Sequence, residues 1–202
     1  MGTLIASGRE ADVFALDDDR VLRRYRREAD VTDEAEAMAY VAGLGFPVPT
    51  VYEAHGADMV LERLHGPTML GAMEAGDLGI DDGAAMLADL LRRLHALPGR
   101  AGTGSILHLD LHPANVILTG RGPVVIDWCN VTDGQPDLDT ALSALILATV
   151  PPDPRVEVFL DAFLRRAPGD PRRLLDEAAV FRAWQLDLEV GDLTAAVARV
   201  RE

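Results

Sequence analysis

H-L-D-L-H-P-A-N-V-I-L-T-G-R-G-P-V-V-I-D, residues 108–127, is the stretch on which the reading of this chain turns. It places Asp110, then Asn115, then Asp127 around a predicted hairpin, with apolar runs at 116–118 and 124–126 flanking Gly120, Arg121 and Gly122. Taken singly, each of the three is an ordinary loop residue that could bond its own backbone. Taken together they are the set that phosphoryl transfer from a nucleotide requires. One carboxylate orients the acceptor hydroxyl, while an amide oxygen and a second carboxylate hold Mg²⁺ on the phosphates.

The spacing H-x-D-x-x-x-x-N, then strand, turn, strand and Asp, is the pattern of the catalytic and metal loops of kinase-like folds. The form H-x-D-x-H-P-x-N, met here by His108, Asp110, His112, Pro113 and Asn115, resembles the aminoglycoside phosphotransferase and choline kinase family. This is the small-molecule branch of the protein-kinase-like superfamily. Leu109 stands where protein kinases carry Arg, and Asp127-Trp128-Cys129 replaces their D-F-G. The resemblance implies an α+β, two-lobed protein-kinase-like fold. A small antiparallel-sheet N-lobe with one helix spans residues 1–64, and a mainly helical C-lobe spans residues 65–202.

The order of elements agrees with that expectation. Residues 3–6, 12–16 and 20–25 alternate or are β-prone, and polar turns separate them. A helix capped by Thr32 or Asp33 is predicted to run to about Ala42, followed by strands at 50–54 and 59–64. After Gly66-Pro67 the periodicity becomes helical, with a short helix over 68–75 and a long one capped by Asp81 or Asp82. Beyond the hairpin, helices are predicted at 138–149, 155–166, 171–189 and 193–200. The chain is short for the family, which predicts a trimmed C-lobe.

The resemblance also implies roles. Asp110 aligns the acceptor hydroxyl, and Asn115 and Asp127 are the metal ligands. Gly8 lies in the turn that covers the nucleotide phosphates. Arg23 falls where the family has a phosphate-contacting lysine, and Glu34 where it has the glutamate that pairs with that lysine. Arg24 points to the opposite face of the strand, since side chains alternate. Glu62 and Leu64 offer hinge backbone groups to an adenine. His108 braces the catalytic loop, His112 and Pro113 shape it, His95 is a core histidine, and Asp137 and Asp139 are structural, Asp137 as a helix cap. The expected ligands are ATP, with GTP as an alternative donor, Mg²⁺, and a small-molecule acceptor.

Composition narrows the partners. The 202 residues carry 19 Lys+Arg against 33 Asp+Glu, a formal charge of −14, and every basic residue is Arg. A surface so acidic argues against nucleic acid and anionic membranes, and would welcome a cationic acceptor such as an aminoglycoside or amino alcohol. Asp161, Asp176, Glu177, Asp187, Glu189 and Asp192, near Trp184, are acidic residues of the C-terminal helices that could receive one or be solvated helix faces. No apolar run is long enough to span a bilayer, no signal peptide is visible, and the single Cys129 excludes an internal disulfide. A cytoplasmic protein is expected; the oligomeric state is open.

Three alternatives follow from the same residues. Arg23 in place of lysine is compatible with a kinase-like nucleotide-binding protein that is weak or inactive, because guanidinium and ammonium are not interchangeable. A protein kinase lacks support in Leu109 and in the missing A-P-E segment. A zinc site would need His108, Asp110 and His112 on one face of a strand.

Overall fold

The computed structural model describes residues 2–151 and 153–202. It divides into two compact units: the chain through Pro67 with Ile117–Cys129, and Thr68–Val116 with Asn130–Glu202. The segment Ile117–Cys129, which carries Asp127, thus groups with the N-terminal part of the chain.

In the first unit, β1 (Thr3–Ser7), β2 (Ala11–Ala15), β3 (Arg20–Tyr25), β4 (Val51–His55) and β5 (Asp58–Glu62) form one antiparallel sheet ordered β1-β2-β3-β5-β4. The Asp17 carboxylate accepts from the N–H groups of Asp19 and Arg20 and so fixes the β2–β3 turn. β3 is the central strand, with Arg23 opposite Val13 on one side and Met59 on the other. Helix α1 (Thr32–Gly43) buries Glu34, Ala37, Met38 and Val41. Thr32 and Asp33 lie inside its first turn, and Asp30 accepts from the Thr32 N–H and hydroxyl.

The hairpin of β7 (Val116–Thr119) and β8 (Gly122–Val125) is tied to the N-terminal segment by Leu118 N–H to Pro67 O and Val125 N–H to Pro47 O, each 2.9 Å. Phe46 meets buried Trp128 edge to face at 5.8 Å. Gly66, with φ +151°, lets the chain pass so close that a Cβ there would lie 1.9 Å from Leu118 O.

In the second unit, α4 (Pro136–Thr149) is the central helix, and every residue from Asp139 to Ala148 is buried. Around it lie α3 (Ile80–His95), α5 (Pro154–Leu164), α6 (Leu175–Leu186) and α7 (Thr194–Arg201), preceded by α2 (Met69–Ala75). Thr68 caps α2 through the Gly71 N–H, and Asp153 caps α5 through the Arg155 N–H. Leu87, Leu90, Leu91 and Leu94 are fully buried along α3, the stripe its periodicity predicts.

Three features depart from the expectation. A short ladder pairs β6 (Ser105–Leu107) with β9 (Thr132–Gly134). Helix α6 begins at Leu175 rather than Pro171, and ends where Asp187 turns left-handed at φ 55°. Asp81, Asp82 and Asp137 lie in first helical turns rather than at caps, with Gly79 and Gln135 at the N-cap positions. Among the described residues no helix is long and apolar enough to cross a membrane.

Candidate active site

The predicted site residues fall into two groups, one in each unit. In the N-terminal unit, strand alternation turns Arg23 inward, to 11% side-chain exposure, and Arg24 outward to Asp58. Arg23 Nη1 donates to Glu34 Oε1 at 2.5 Å, and its Nη2 donates to Asp127 Oδ1 at 2.6 Å and to Tyr25 Oη at 2.9 Å. The Tyr25 hydroxyl in turn donates to Glu34 Oε2 at 2.8 Å. One guanidinium therefore joins the helix glutamate to the carboxylate at the end of the hairpin. Burial alone would weaken its charge. The carboxylates of Asp127 and Glu34 outweigh that cost, and its pKa lies above the ordinary arginine value. Burial likewise raises the Tyr25 pKa, with the Arg23 charge opposing, so the phenol remains a donor at neutral pH. Asp127 itself has φ 67°, a left-handed conformation uncommon for aspartate.

The remaining nucleotide-site expectations also lie in this unit. The Gly8 N–H donates to Ala11 O at 2.9 Å and closes the β1–β2 turn. The Glu62 N–H is bonded to Thr50 O, and its carboxylate accepts from Arg121 at 2.9 Å. Leu64 follows in an irregular, half-buried segment.

In the second unit, residues 108–112 are a loop, not a strand, because Leu109 takes φ 60°. Among the described residues no three His, Cys, Asp or Glu side chains form a metal-binding group, which leaves the zinc reading without its ligand set. The loop is held from below by Asp139, which is fully buried on α4. Its Oδ2 accepts from the His108 N–H at 3.0 Å and lies 3.0 Å from His95 Nε2, and its Oδ1 accepts from the Leu109 N–H at 2.8 Å. Burial would raise its pKa, but these donors prevail and hold it below the usual carboxylate range. His108 is fully buried, and its Nδ1 accepts from the Asp110 N–H at 3.3 Å, the bracing role expected of it.

Asp110 and Asn115 come together. Asn115 Nδ2 donates to Asp110 O at 2.9 Å and to Asp110 Oδ2 at 3.3 Å, which leaves the amide oxygen as its acceptor. His112 caps the single turn Pro113–Asn115 by accepting from the Ala114 N–H, and its Nε2 lies 3.8 Å from Asp110 Oδ2.

One neighbour of Asp110 was not expected. Arg182 Nη1, from α6, donates to Asp110 Oδ1 at 3.2 Å and to Gln185 Oε1 at 3.1 Å. The only trace of it is the polar i, i+3 pair Arg182 and Gln185 on a helix whose buried residues are otherwise leucine and alanine. Tyr25 was also missed, although it shares a strand face with Arg23 two residues before it.

Three of the six acidic residues singled out on the C-terminal helices have partners within the second unit. Asp176 pairs with Arg201 at 2.5 Å, and Glu189 and Asp192 form a reciprocal capping box. Trp184 is 73% exposed and lies 5.7 Å from the Phe181 ring.

Comparison with known proteins places this arrangement. The family described as "Phosphotransferase enzyme family" matches residues 2–104 and 100–176. A thiamine kinase of Salmonella heidelberg is 33% identical over 85 residues, a stretch that is 42% of this chain and 29% of that enzyme. Among solved structures, a gentamicin complex of the aminoglycoside phosphotransferase APH(2")-IIa superposes with a TM-score of 0.64 at 16% identity, covering 98% of this chain and 90% of the other. A choline/ethanolamine kinase family protein from Mesorhizobium loti gives 0.65 at 16% identity, covering 99% and 87%. At such identities the structural likeness shows the kinase-like fold. The family match over most of the sequence shows more: this chain belongs to the phosphotransferase enzyme family.

Proposed function

We propose that the chain transfers the γ-phosphoryl group of ATP to a hydroxyl of a small molecule, with Asp110 as the catalytic residue. The observation that carries this reading is the Asp110–Asn115 pair, held on a buried scaffold within the loop pattern of the family. In the reaction, an acceptor oxygen forms a bond to the γ-phosphorus while the bond to the β–γ bridging oxygen breaks. ADP departs, and the hydroxyl proton passes by way of Asp110 to solvent. Asp110 contributes alignment above all, since a loose transition state asks little proton abstraction early in the reaction.

Asn115 and Asp127 are the proposed Mg²⁺ ligands. The donor set fits: one amide oxygen and one carboxylate are hard oxygen ligands, and Mg²⁺ takes few protein groups beside waters and phosphates. The bond from Arg23 to Asp127 Oδ1 uses one of about four lone-pair positions of that carboxylate. Bound there, the ion would neutralise charge on the phosphates. Arg23, steadied by Glu34 and Tyr25, is proposed to contact the phosphates as the family lysine does. The Gly8 turn and the backbone of Glu62 and Leu64 are proposed to border the nucleotide. Solved neighbours named as ATP, ADP and GDP complexes support a nucleotide donor, with GTP the alternative to ATP. Neighbours named for gentamicin, streptomycin and ethanolamine support a small hydroxylated acceptor, and the −14 charge favours a cationic one at long range. A cytoplasmic location is proposed with the nucleotide.

The test is transfer of labelled γ-phosphate across a panel of amino sugars, amino alcohols and hydroxy acids, with and without Mg²⁺. Mg²⁺-dependent transfer supports the reading, and unchanged transfer in Asp110→Ala and Asp127→Ala would refute the assignments. One observation favours a second reading, a nucleotide-binding protein without turnover: Arg23 already occupies an oxygen of Asp127 at 2.6 Å. Mg²⁺-dependent ATP binding with no transfer to any acceptor would establish it.

A further inference from the structure

Within the second unit, the charged group nearest the proposed catalytic carboxylate is a cation. Arg182 Nη1 lies 3.2 Å from Asp110 Oδ1, with side-chain exposures of 14% and 18%. Resting on the phosphotransferase reading above, we propose that Arg182, fixed by Gln185, selects an acceptor that carries a carboxylate or phosphate group beside the hydroxyl to be phosphorylated.

Asp110 does not need Arg182 to hold its place. Its N–H is bonded to His108 Nδ1, and its carbonyl and Oδ2 both accept from Asn115. Nor is the ion pair a tight clamp. A charge-assisted N–H···O bond runs about 2.7–2.9 Å. Here the contact is longer, and the same Nη1 is shared with Gln185 Oε1 at 3.1 Å. Gln185 also reaches back to Leu109 O at 3.5 Å, so the pair on α6 is registered against the catalytic loop itself. A guanidinium in that position, 14% exposed, presents N–H donors beside the place where an acceptor hydroxyl must sit to meet Asp110. Its planar fork matches carboxylate and phosphate oxygens. An ammonium one carbon from the hydroxyl would face it as a like charge, which partial burial leaves only weakly screened.

The carboxylates that could have reversed this preference are in part spent: Asp176 on Arg201, and Glu189 and Asp192 on each other's backbone. Phe181 and Trp184 on α6, with exposed Leu188 just past its end, lie close to Gln185 in sequence and offer apolar surface to the rest of the acceptor. Any cationic centre of the acceptor is then placed away from the hydroxyl.

The experiment compares kcat and KM for phosphoryl transfer from ATP to matched pairs of small alcohols, glycerate against aminopropanediol being the simplest, in the wild type, Arg182→Met and Arg182→Lys. The expected result is a wild-type kcat/KM at least about tenfold higher for the carboxylate member. In Arg182→Met that preference collapses, mainly through a rise in KM for the carboxylate and with no rise for the ammonium, and Arg182→Lys restores part of it. A wild-type preference for the amino alcohols would overturn the proposal, as would transfer only to alcohols outside both arms. An equal loss of kcat for every acceptor in Arg182→Met would also overturn it, since that reports a structural or transition-state role. Absence of transfer to any alcohol would instead bring down the phosphotransferase reading itself.

Discussion

Replacing Asp139 by asparagine removes one negative charge and no volume, and it strikes the support of the catalytic loop without touching Asp110. Asp139 is fully buried and serves two backbone N–H groups, at His108 and Leu109, together with the His95 ring. Hydrogen bonds to a charged acceptor contribute about 1.5–3 kcal/mol each, and an orphaned buried donor costs about 1–3 kcal/mol. Asparagine keeps one oxygen, which can still accept from one N–H, but it turns an amide N–H₂ toward another donor. Loss of one to two such bonds amounts to about 3 kcal/mol, a large part of the ~5–15 kcal/mol that holds a typical domain folded. For a chain of this length that is a fall in Tm of about 6–12 °C.

The pH dependence has a definite sign. The folded-state pKa of Asp139 is depressed. Its contribution is therefore fully present above the unfolded carboxylate value of about 3.9 and is lost as pH falls through the lower folded value. The stability gap between wild type and Asp139→Asn should be wide at neutral pH and shrink only in strong acid. Thermal unfolding followed by circular dichroism at several pH values measures both quantities. Because Leu109 is held at φ 60° by this contact, phosphoryl transfer should fall at least about tenfold in the variant that remains folded. A Tm within about 2 °C of wild type at neutral pH would refute the scaffold argument.

Three further outcomes are expected. Arg23→Met strands the buried Glu34 carboxylate and should cost about 3–5 kcal/mol, whereas Arg23→Lys keeps a cation and should lose less than half of that, as read by urea denaturation. Gly66→Ala must relieve a 1.9 Å approach to Leu118 O at a φ of +151°, and should destabilise by about 2 kcal/mol or more, seen as a lower denaturation midpoint. Asp127→Asn should abolish the tightening of ATP binding by Mg²⁺ in calorimetric titration while leaving metal-free ATP binding within about threefold of wild type.

How much of this could be read from the sequence depended on whether the signal was local. Alternation along β3 separated inward Arg23 from outward Arg24, and the family resemblance paired Arg23 with Glu34; both contacts are found. The spacing in the loop likewise brought Asp110 and Asn115 together, and His108 braces as expected. Asp139 was placed as structural by the resemblance alone, and it is found fully buried beneath the catalytic loop. Long-range partners left no such mark. Arg182 reaches Asp110 across 72 positions, and the i, i+3 spacing to Gln185 does not by itself say what the pair faces. The β6–β9 ladder joins two three-residue strands too short to alternate. Helix α6 starts late because residues 171–174 form turns after Asp170, whose side chain accepts from the Arg172 N–H. Of the acidic residues of the C-terminal helices, left open between a cation site and solvated faces, Asp176 pairs with Arg201 and Glu189 and Asp192 cap each other's backbone, partners that the sequence pattern does not mark.

The most direct test of the central claim is γ-phosphate transfer by wild type and Asp110→Asn, measured beside the ATP dissociation constant of each. The account predicts transfer lowered at least about a hundredfold with ATP affinity within about twofold of wild type. Transfer that survives the substitution undiminished would contradict it.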